Sequence, residues 1–129
     1  KIFNENRKRL KAGNARFVRS NLFEKIEGTF NMIMTNPPYL TSTETRERMI
    51  EGWREPALAL DGGSDGLVLI KKIITKSIDY LDRGGYLLIE AAPDQMDVMG
   101  GMLTKAGFSQ VETVRDLSGQ ERVIYGSRR

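Results

Sequence analysis

The sequence predicts a doubly wound α/β sheet within a single domain. Strand-like and helix-like stretches alternate along the chain, which is the pattern of such sheets. The apolar run Phe30–Thr35 has the composition of a buried strand and is followed at once by two prolines. The length of 129 residues suits one domain with a modest core, so residues 1–129 are expected to fold together.

The first half of the chain predicts little regular structure apart from one strong strand. Gly13 or Asn14 is expected to end the first helix, which is polar. The predicted elements are, in order, a helix over residues 4–12, a short strand over residues 16–19, the strand Phe30–Thr35, and an irregular segment over residues 40–64 with one helical turn around residues 47–51.

The second half predicts two amphipathic helices and three strands. Apolar residues recur at helical spacing after Gly66 and again before Gly107, and glycines follow both stretches. Asp65 is expected to act as the N-cap of the first of these helices. The predicted elements are a helix over residues 66–82, a strand over residues 86–90, a helix over residues 94–105, and closing strands over residues 111–115 and 122–125.

The tetrapeptide Asn36-Pro37-Pro38-Tyr39, at the end of the strongest strand, suits the binding of a planar NH2 group. The two prolines hold the backbone extended and remove competing N–H donors. The Asn36 side-chain oxygen and a carbonyl near Pro37 could then accept one N–H each, and the Tyr39 ring could cover the flat face of the guest. An ordinary turn or an exposed polyproline segment explains the same residues, and these alternatives remain open at this point.

Composition excludes several kinds of chemistry. The chain has no cysteine and no histidine, so it offers no disulfide, no thiolate metal site and no Ser-His or Cys-His nucleophile. No metal site is expected, since residues 61–66 resemble a calcium loop but lack ligands at the required positions. The net charge of +3 arises from interspersed charges, which permit a nucleic-acid partner without arguing for one. No stretch suits a membrane span or a signal peptide, so a cytoplasmic protein is expected.

Five segments of the chain are similar, in order, to those of one protein family. They are Ser20-Asn21-Leu22-Phe23, Asn36-Pro37-Pro38-Tyr39, residues 54–67 with their Glu-Pro and Gly-Gly-Ser-Asp-Gly-Leu sequences, residues 84–90, and Asp116-Leu117-Ser118-Gly119-Gln120-Glu121-Arg122-Val123. Together they resemble the peptide-chain-release-factor glutamine N5-methyltransferases, the HemK family. The tetrapeptide alone is shared with adenine-N6 methyltransferases, whereas the block over residues 54–67 is more specific to the glutamine enzymes.

The resemblance implies a reaction and a set of site residues. The reaction is methyl transfer from S-adenosylmethionine to the glutamine amide of a release-factor Gly-Gly-Gln motif. Asn36, Pro37, Pro38 and Tyr39 would hold that glutamine as catalytic and substrate-binding residues, and Asn36 would also lie against the donor. Asn21 and Leu22 would border the adenine. The alternatives are an adenine-N6 nucleic-acid methyltransferase, for which we find no basic groove, and a methyltransferase-like fragment that binds a partner without turnover.

The resemblance covers only the C-terminal part of the family's catalytic domain. The expected fold is therefore a Rossmann-like methyltransferase sheet of order 3-2-1-4-5-7-6 that lacks its first two strands and the donor-binding glycine loop, and that ends in an antiparallel strand pair. Weak or absent donor binding by the chain alone is expected. An apolar edge along Met32-Ile33-Met34 would be exposed. The chain alone would either dimerise or swap through that edge, or pair residues 16–19 directly with Phe30–Thr35.

Overall fold

Four strands form one mixed sheet in the order β1-β2-β4-β3 in the computed structural model, which describes residues 1–129. β1 pairs with β2 in parallel, while β4 is antiparallel to both β2 and β3. The bounds of the strands are β1 Phe30–Thr35, β2 Leu81–Glu90, β3 Phe108–Arg115 and β4 Glu121–Arg128. This order matches strands 4-5-7-6 of the predicted sheet, so the predicted partial fold and its closing antiparallel pair are confirmed.

The hydrophobic core lies between one face of this sheet and two helices. The α-helices are α1 Ile2–Arg9, α2 Ser42–Ile50, α3 Ala57–Leu60, α4 Val68–Ser77 and α5 Met96–Lys105. Leu87 and Ile89 of β2 are fully buried against this layer, whereas Leu88 between them is only half-buried on the opposite face. α4 and α5 contribute Ile70, Ile74, Met99 and Leu103 to the core, which confirms the predicted apolar helix faces. No helix combines the length and the apolar character needed to cross a membrane.

The predicted strand over residues 16–19 is wrong, because this segment has no regular structure. A strand needs a neighbour to satisfy its backbone groups, and β1 pairs with β2 rather than with this segment. Phe17 instead contacts Phe3 of α1, with ring centroids 5.5 Å apart. The predicted alternative in which residues 16–19 pair directly with β1 is therefore also wrong.

The prediction of an irregular segment over residues 40–64 with one helical turn around residues 47–51 underestimated α2, which spans Ser42–Ile50, and missed α3. α2 begins with a capping box in which the Thr41 hydroxyl accepts from the Glu44 N–H and the Glu44 carboxylate accepts from the Thr41 N–H. This hydrogen bond from the Thr41 backbone lowers the pKa of Glu44. α3 is a single turn that follows Pro56. The Thr-x-x-Glu spacing is visible in the sequence and could have identified α2.

The remaining differences lie at the ends of elements. The helix predicted over residues 66–82 ends as α4 at Ser77 with one further 3-10 turn, Ile78–Tyr80, because β2 already begins at Leu81. The helix predicted from residue 94 begins as α5 at Met96, after the 3-10 turn Pro93–Gln95. Leu67, not Asp65, is the N-cap of α4. The Asp65 carboxylate accepts the Leu67 N–H from outside the helix, at 3.0 Å.

Candidate functional site

The tetrapeptide Asn36-Pro37-Pro38-Tyr39 follows the carboxyl end of β1 and lines a cavity of about 390 Å³, here called the Asn36 cavity. Ligands of open α/β sheets bind at this end of the strands, which is where the sequence predicted the site. The opposite wall comes from the segment that contains α2 and α3. The wall residues are Arg48, Trp53, Glu55, Ala59 and Leu60.

Two hydrogen-bond acceptors next to each other in the tetrapeptide are free. Asn36 is exposed, and its side-chain amide forms no hydrogen bond within the chain. The carbonyl of Pro37 accepts no backbone hydrogen bond either, whereas the Tyr39 and Leu40 carbonyls are both occupied. The Asn36 side-chain oxygen and the Pro37 carbonyl thus have no partner within the chain, and both residues line the Asn36 cavity, with Pro37 buried and Asn36 exposed.

Tyr39 has two kinds of neighbour. It lines the Asn36 cavity and is half-buried, and it also packs against the hydrophobic core. The core contact restricts the side chain, so the ring is held beside the cavity rather than moving freely in solvent. That the ring covers the face of a bound planar group stays a prediction.

A glycine-rich loop over residues 61–66 supports the tetrapeptide from behind. The N–H of Gly62 donates to the Leu40 carbonyl at 2.7 Å, and the N–H of Leu40 donates to the Leu60 carbonyl at 3.1 Å. Gly66, with φ of +69°, lies against the Tyr39 carbonyl. These contacts make the segment a tight turn that leads into α4, with a positive φ at Gly66 that glycine permits. The turn fixes the backbone of the candidate site.

The wall of the Asn36 cavity carries both charges and an aromatic ring. The Arg48 guanidinium lies over the Trp53 ring, 4.9 Å from its centroid, and forms an ion pair with Glu51 at 3.2 Å. Glu55 forms no ion pair. Sequence analysis missed Arg48, whose side chain reaches the cavity only because α2 is helical. The five-residue spacing to Trp53 is not a motif that could have revealed it.

Asn21 and Leu22, the predicted adenine-binding residues, line a different cavity of about 610 Å³ against α4. The Asn21 side-chain amide donates to Glu24 at 2.7 Å. Leu22 has the unusual φ of +49°, and Phe23 stacks on Tyr80 with ring centroids 4.6 Å apart. Asn36 lines the Asn36 cavity and a further cavity of about 340 Å³ beside Glu90. The structure thus brings Asn36 to Tyr39 together, and places Asn21 and Leu22 at a separate cavity.

Comparison with known proteins shows similarity to methyltransferases. No family model matches the chain. It is 38% identical over 122 residues to the release factor glutamine methyltransferase of Pseudomonas aeruginosa, covering 94% of this chain and 44% of that protein. It is 35% identical over 127 residues to the release factor glutamine methyltransferase of Buchnera aphidicola, covering 98% of this chain and 46% of that protein. The chain therefore spans less than half the length of these relatives.

A solved structure of a methyltransferase from Pyrococcus furiosus shows the same fold. It superposes with a TM-score of 0.63 over 98% of this chain and 57% of its own, at 17% sequence identity. Because the identity is low, this likeness concerns the fold alone. It supports the predicted Rossmann-like methyltransferase sheet in incomplete form.

Proposed function

Nearly the whole chain is homologous to a part of the release factor glutamine methyltransferases, and from this premise we propose that the protein carrying it methylates a glutamine. The reaction is transfer of a methyl group from S-adenosylmethionine to the side-chain amide nitrogen of a glutamine in a peptide chain release factor. The substrate motif is the Gly-Gly-Gln that the family resemblance implies. A cytoplasmic location follows from this substrate, since release factors act on ribosomes.

The observation that carries this proposal is the pair of free acceptors in the Asn36 cavity. A glutamine side-chain amide has two N–H donors in one plane. The Asn36 side-chain oxygen and the Pro37 carbonyl belong to consecutive residues that line one cavity, and neither is occupied within the chain. Each can accept one N–H, which fixes both the position and the rotation of the acceptor nitrogen.

These two hydrogen bonds also activate the nitrogen. An amide nitrogen is a poor nucleophile because its lone pair is delocalised into the carbonyl. Two acceptors on its N–H groups return electron density to the nitrogen. Alignment of that nitrogen with the methyl donor can lower the activation barrier by roughly 7–11 kcal/mol. The extra proton on the methylated nitrogen can leave after the methyl group has been transferred, so no strong base is required. This agrees with a chain that contains no histidine.

S-adenosylmethionine would supply a methyl group that its sulfonium centre already activates. The cavity beside α4 offers an adenine ring apolar surface from Leu22, Leu69 and Tyr80 and the carboxamide of Asn21, while three lysines of α4 form its polar side. We assign Asn21 and Leu22 to the adenine on this basis, and Asn36 to the contact between donor and acceptor. Asn36 can take the second role because it lines two cavities at the end of β1.

An adenine-N6 methyltransferase is the second candidate, because an exocyclic amine also presents two coplanar N–H groups. The wall of the Asn36 cavity carries Glu55 as well as Arg48, which does not suit a polyanionic substrate. A fragment that binds a partner without turnover is the third candidate. Both are tested as outcomes of one experiment.

The test uses labelled donor with the protein that carries this chain. The acceptors are a release factor, its Gln-to-Ala variant at the Gly-Gly-Gln motif, and DNA. Label on the wild-type factor alone supports the proposal, label on DNA selects the second candidate, and no label selects the third. Asn36→Ala should abolish transfer without loss of stability, because Asn36 is exposed and unbonded. Asn14→Ala is the matched control, since Asn14 is an exposed asparagine outside the cavities that contain Asn36.

We also propose that, in the 129-residue chain on its own, the outer edge of β1 pairs with the same strand of a second copy. β1 has a hydrogen-bonded neighbour, β2, on one side only. Met32 and Met34 on this strand are 51% and 71% exposed. An unpaired apolar edge strand of this kind is a template for strand pairing.

A further inference from the structure

Gln95 connects the two strand ends that form the candidate site. It lies in the 3-10 turn Pro93–Gln95, just after β2, and it is half-buried. Its Nε2 donates to the Tyr39 carbonyl at 3.0 Å, and its Oε1 accepts from the Ala92 N–H at 3.2 Å. One side-chain amide thus joins the segment after β1 to the segment after β2. Gln95 does not line the Asn36 cavity.

The position of this amide depends on Gly66. A Cβ at residue 66 would come within 2.7 Å of the Gln95 Nε2 and would also collide with the Tyr39 carbonyl oxygen. The absence of a side chain at Gly66 therefore leaves the space in which Gln95 reaches Tyr39. The carbonyl of Tyr39 is held between the glycine loop on one side and the Gln95 amide on the other.

We propose that Gln95 is a positioning residue for methyl transfer, acting through the backbone of Tyr39. This inference rests on the proposed function, because it concerns the same tetrapeptide. Prolines fix φ at residues 37 and 38, so a hydrogen bond that anchors the Tyr39 carbonyl leaves the short segment between β1 and that carbonyl little freedom to move. The Pro37 carbonyl, and the Asn36 backbone from which the amide side chain projects, are thereby held in the geometry that the acceptor amide needs. Gln95 itself touches neither donor nor acceptor.

Two substitutions separate this role from that of an ordinary turn residue. Gln95→Glu keeps an oxygen that can accept from the Ala92 N–H, but it replaces the donor to Tyr39 with a second acceptor. Gln95→Ala removes both hydrogen bonds. If the link to Tyr39 matters, the two variants lose activity alike, while only Gln95→Ala loses the hydrogen bond within the 3-10 turn. Asp94→Ala is the matched control, since Asp94 is exposed in the same turn.

The experiment measures kcat and KM for methyl transfer, donor binding by calorimetry, and the thermal unfolding midpoint. A displacement of about 1 Å at a reacting group can cost about 100-fold in rate. We expect Gln95→Glu to lower kcat between tenfold and 100-fold, with donor affinity and unfolding midpoint close to those of Asp94→Ala. Wild-type kcat in Gln95→Glu would overturn the inference, and so would a loss that appears only in KM or only together with unfolding.

A second readout does not depend on turnover. The NMR signals of the Tyr39 carbonyl carbon and of the Asn36 side-chain amide should both shift in Gln95→Glu and stay unchanged in Asp94→Ala. Unchanged Tyr39 and Asn36 signals would refute the positioning role whatever the reaction is. A wild-type protein that methylates no acceptor would refute the proposed function instead, so the two failures are distinguishable.

Discussion

Gly62 lies directly against the carbonyl oxygen of Pro38: a Cβ at position 62 would stand 2.7 Å from that oxygen. The same Cβ would stand 2.5 Å from the carbonyl oxygen of Gly66. Both neighbours are backbone atoms, so neither can turn aside as a flexible side chain would. The close approach of the glycine loop to the tetrapeptide therefore requires glycine at residue 62, although its φ is not positive.

Gly62→Ala should destabilise the protein and impair the site together. The added methyl group must displace either the Pro38 carbonyl or the glycine loop, and overpacking of this kind costs about 1–3 kcal/mol. We expect a lower free energy of unfolding in denaturant titration and a loss of methyl transfer that is larger than the unfolded fraction explains.

Gly101→Ala is the matched control for this prediction. Gly101 lies inside α5 with open space around its Cα, so alanine meets no obstacle there. Alanine in a helix interior should raise stability by about 0.5–1 kcal/mol and leave methyl transfer unchanged. Equal stability of the Gly62→Ala and wild-type proteins would show that the loop moves away without cost.

Thr45→Val should stabilise the protein. The Thr45 side chain on α2 is buried, and its hydroxyl has no hydrogen-bond partner. Burial of an unbonded hydroxyl costs roughly 1–3 kcal/mol on the scale of protein mutations, and valine has the same shape without it. We expect an increase of about 1 kcal/mol in the free energy of unfolding, measured by denaturant titration.

Thr104→Val is the control for Thr45→Val, because the Thr104 hydroxyl is exposed and donates to the Gly100 carbonyl at 2.9 Å. A gain at Thr104 as large as at Thr45 would contradict the explanation.

The sequence predicted the part of the site that a single local signal defines. Phe30–Thr35 and the tetrapeptide after it were placed correctly, because an apolar run followed by two prolines specifies both a strand and its end. The sequence did not reveal the contacts of Gln95 or Arg48, since these residues reach the site through the packing of α2 and of the turn after β2. It also predicted a strand over residues 16–19, because a local β-pattern cannot show whether a neighbouring strand is present to pair with it.

The loop between β3 and β4 should lose stability only in strong acid. Hydrogen bonds to Asp116, first from the Ser118 hydroxyl and then from the Gln120 N–H, lower its pKa from 3.8 to about 2. A carboxylate whose pKa is lower in the folded state stabilises that state above the unfolded pKa, and this contribution is lost as the pH falls through the folded pKa. The window is therefore between about pH 4 and pH 2.

Asp116→Asn tests this dependence on pH. The variant should be less stable than the wild type at neutral pH, and the difference should shrink as the pH falls from about 4 to about 2. Denaturant titrations at several pH values measure the difference, and NMR titration of the Asp116 carboxyl gives the pKa directly. A difference in stability that stays constant across this range would contradict the assignment.

Pairing through the outer edge of β1 should make the 129-residue chain dimerise as its concentration rises. Met34→Lys places a charge on the exposed edge strand, where lysine disfavours strand pairing, and it should therefore weaken the dimer. Leu117→Lys is the matched control, because Leu117 is also an exposed apolar residue but lies in the turn between β3 and β4. Sedimentation velocity over a concentration series measures the association. A wild-type chain that stays monomeric at the highest concentration, or a Met34→Lys variant that dimerises as well as Leu117→Lys, would show that β1 does not form the interface.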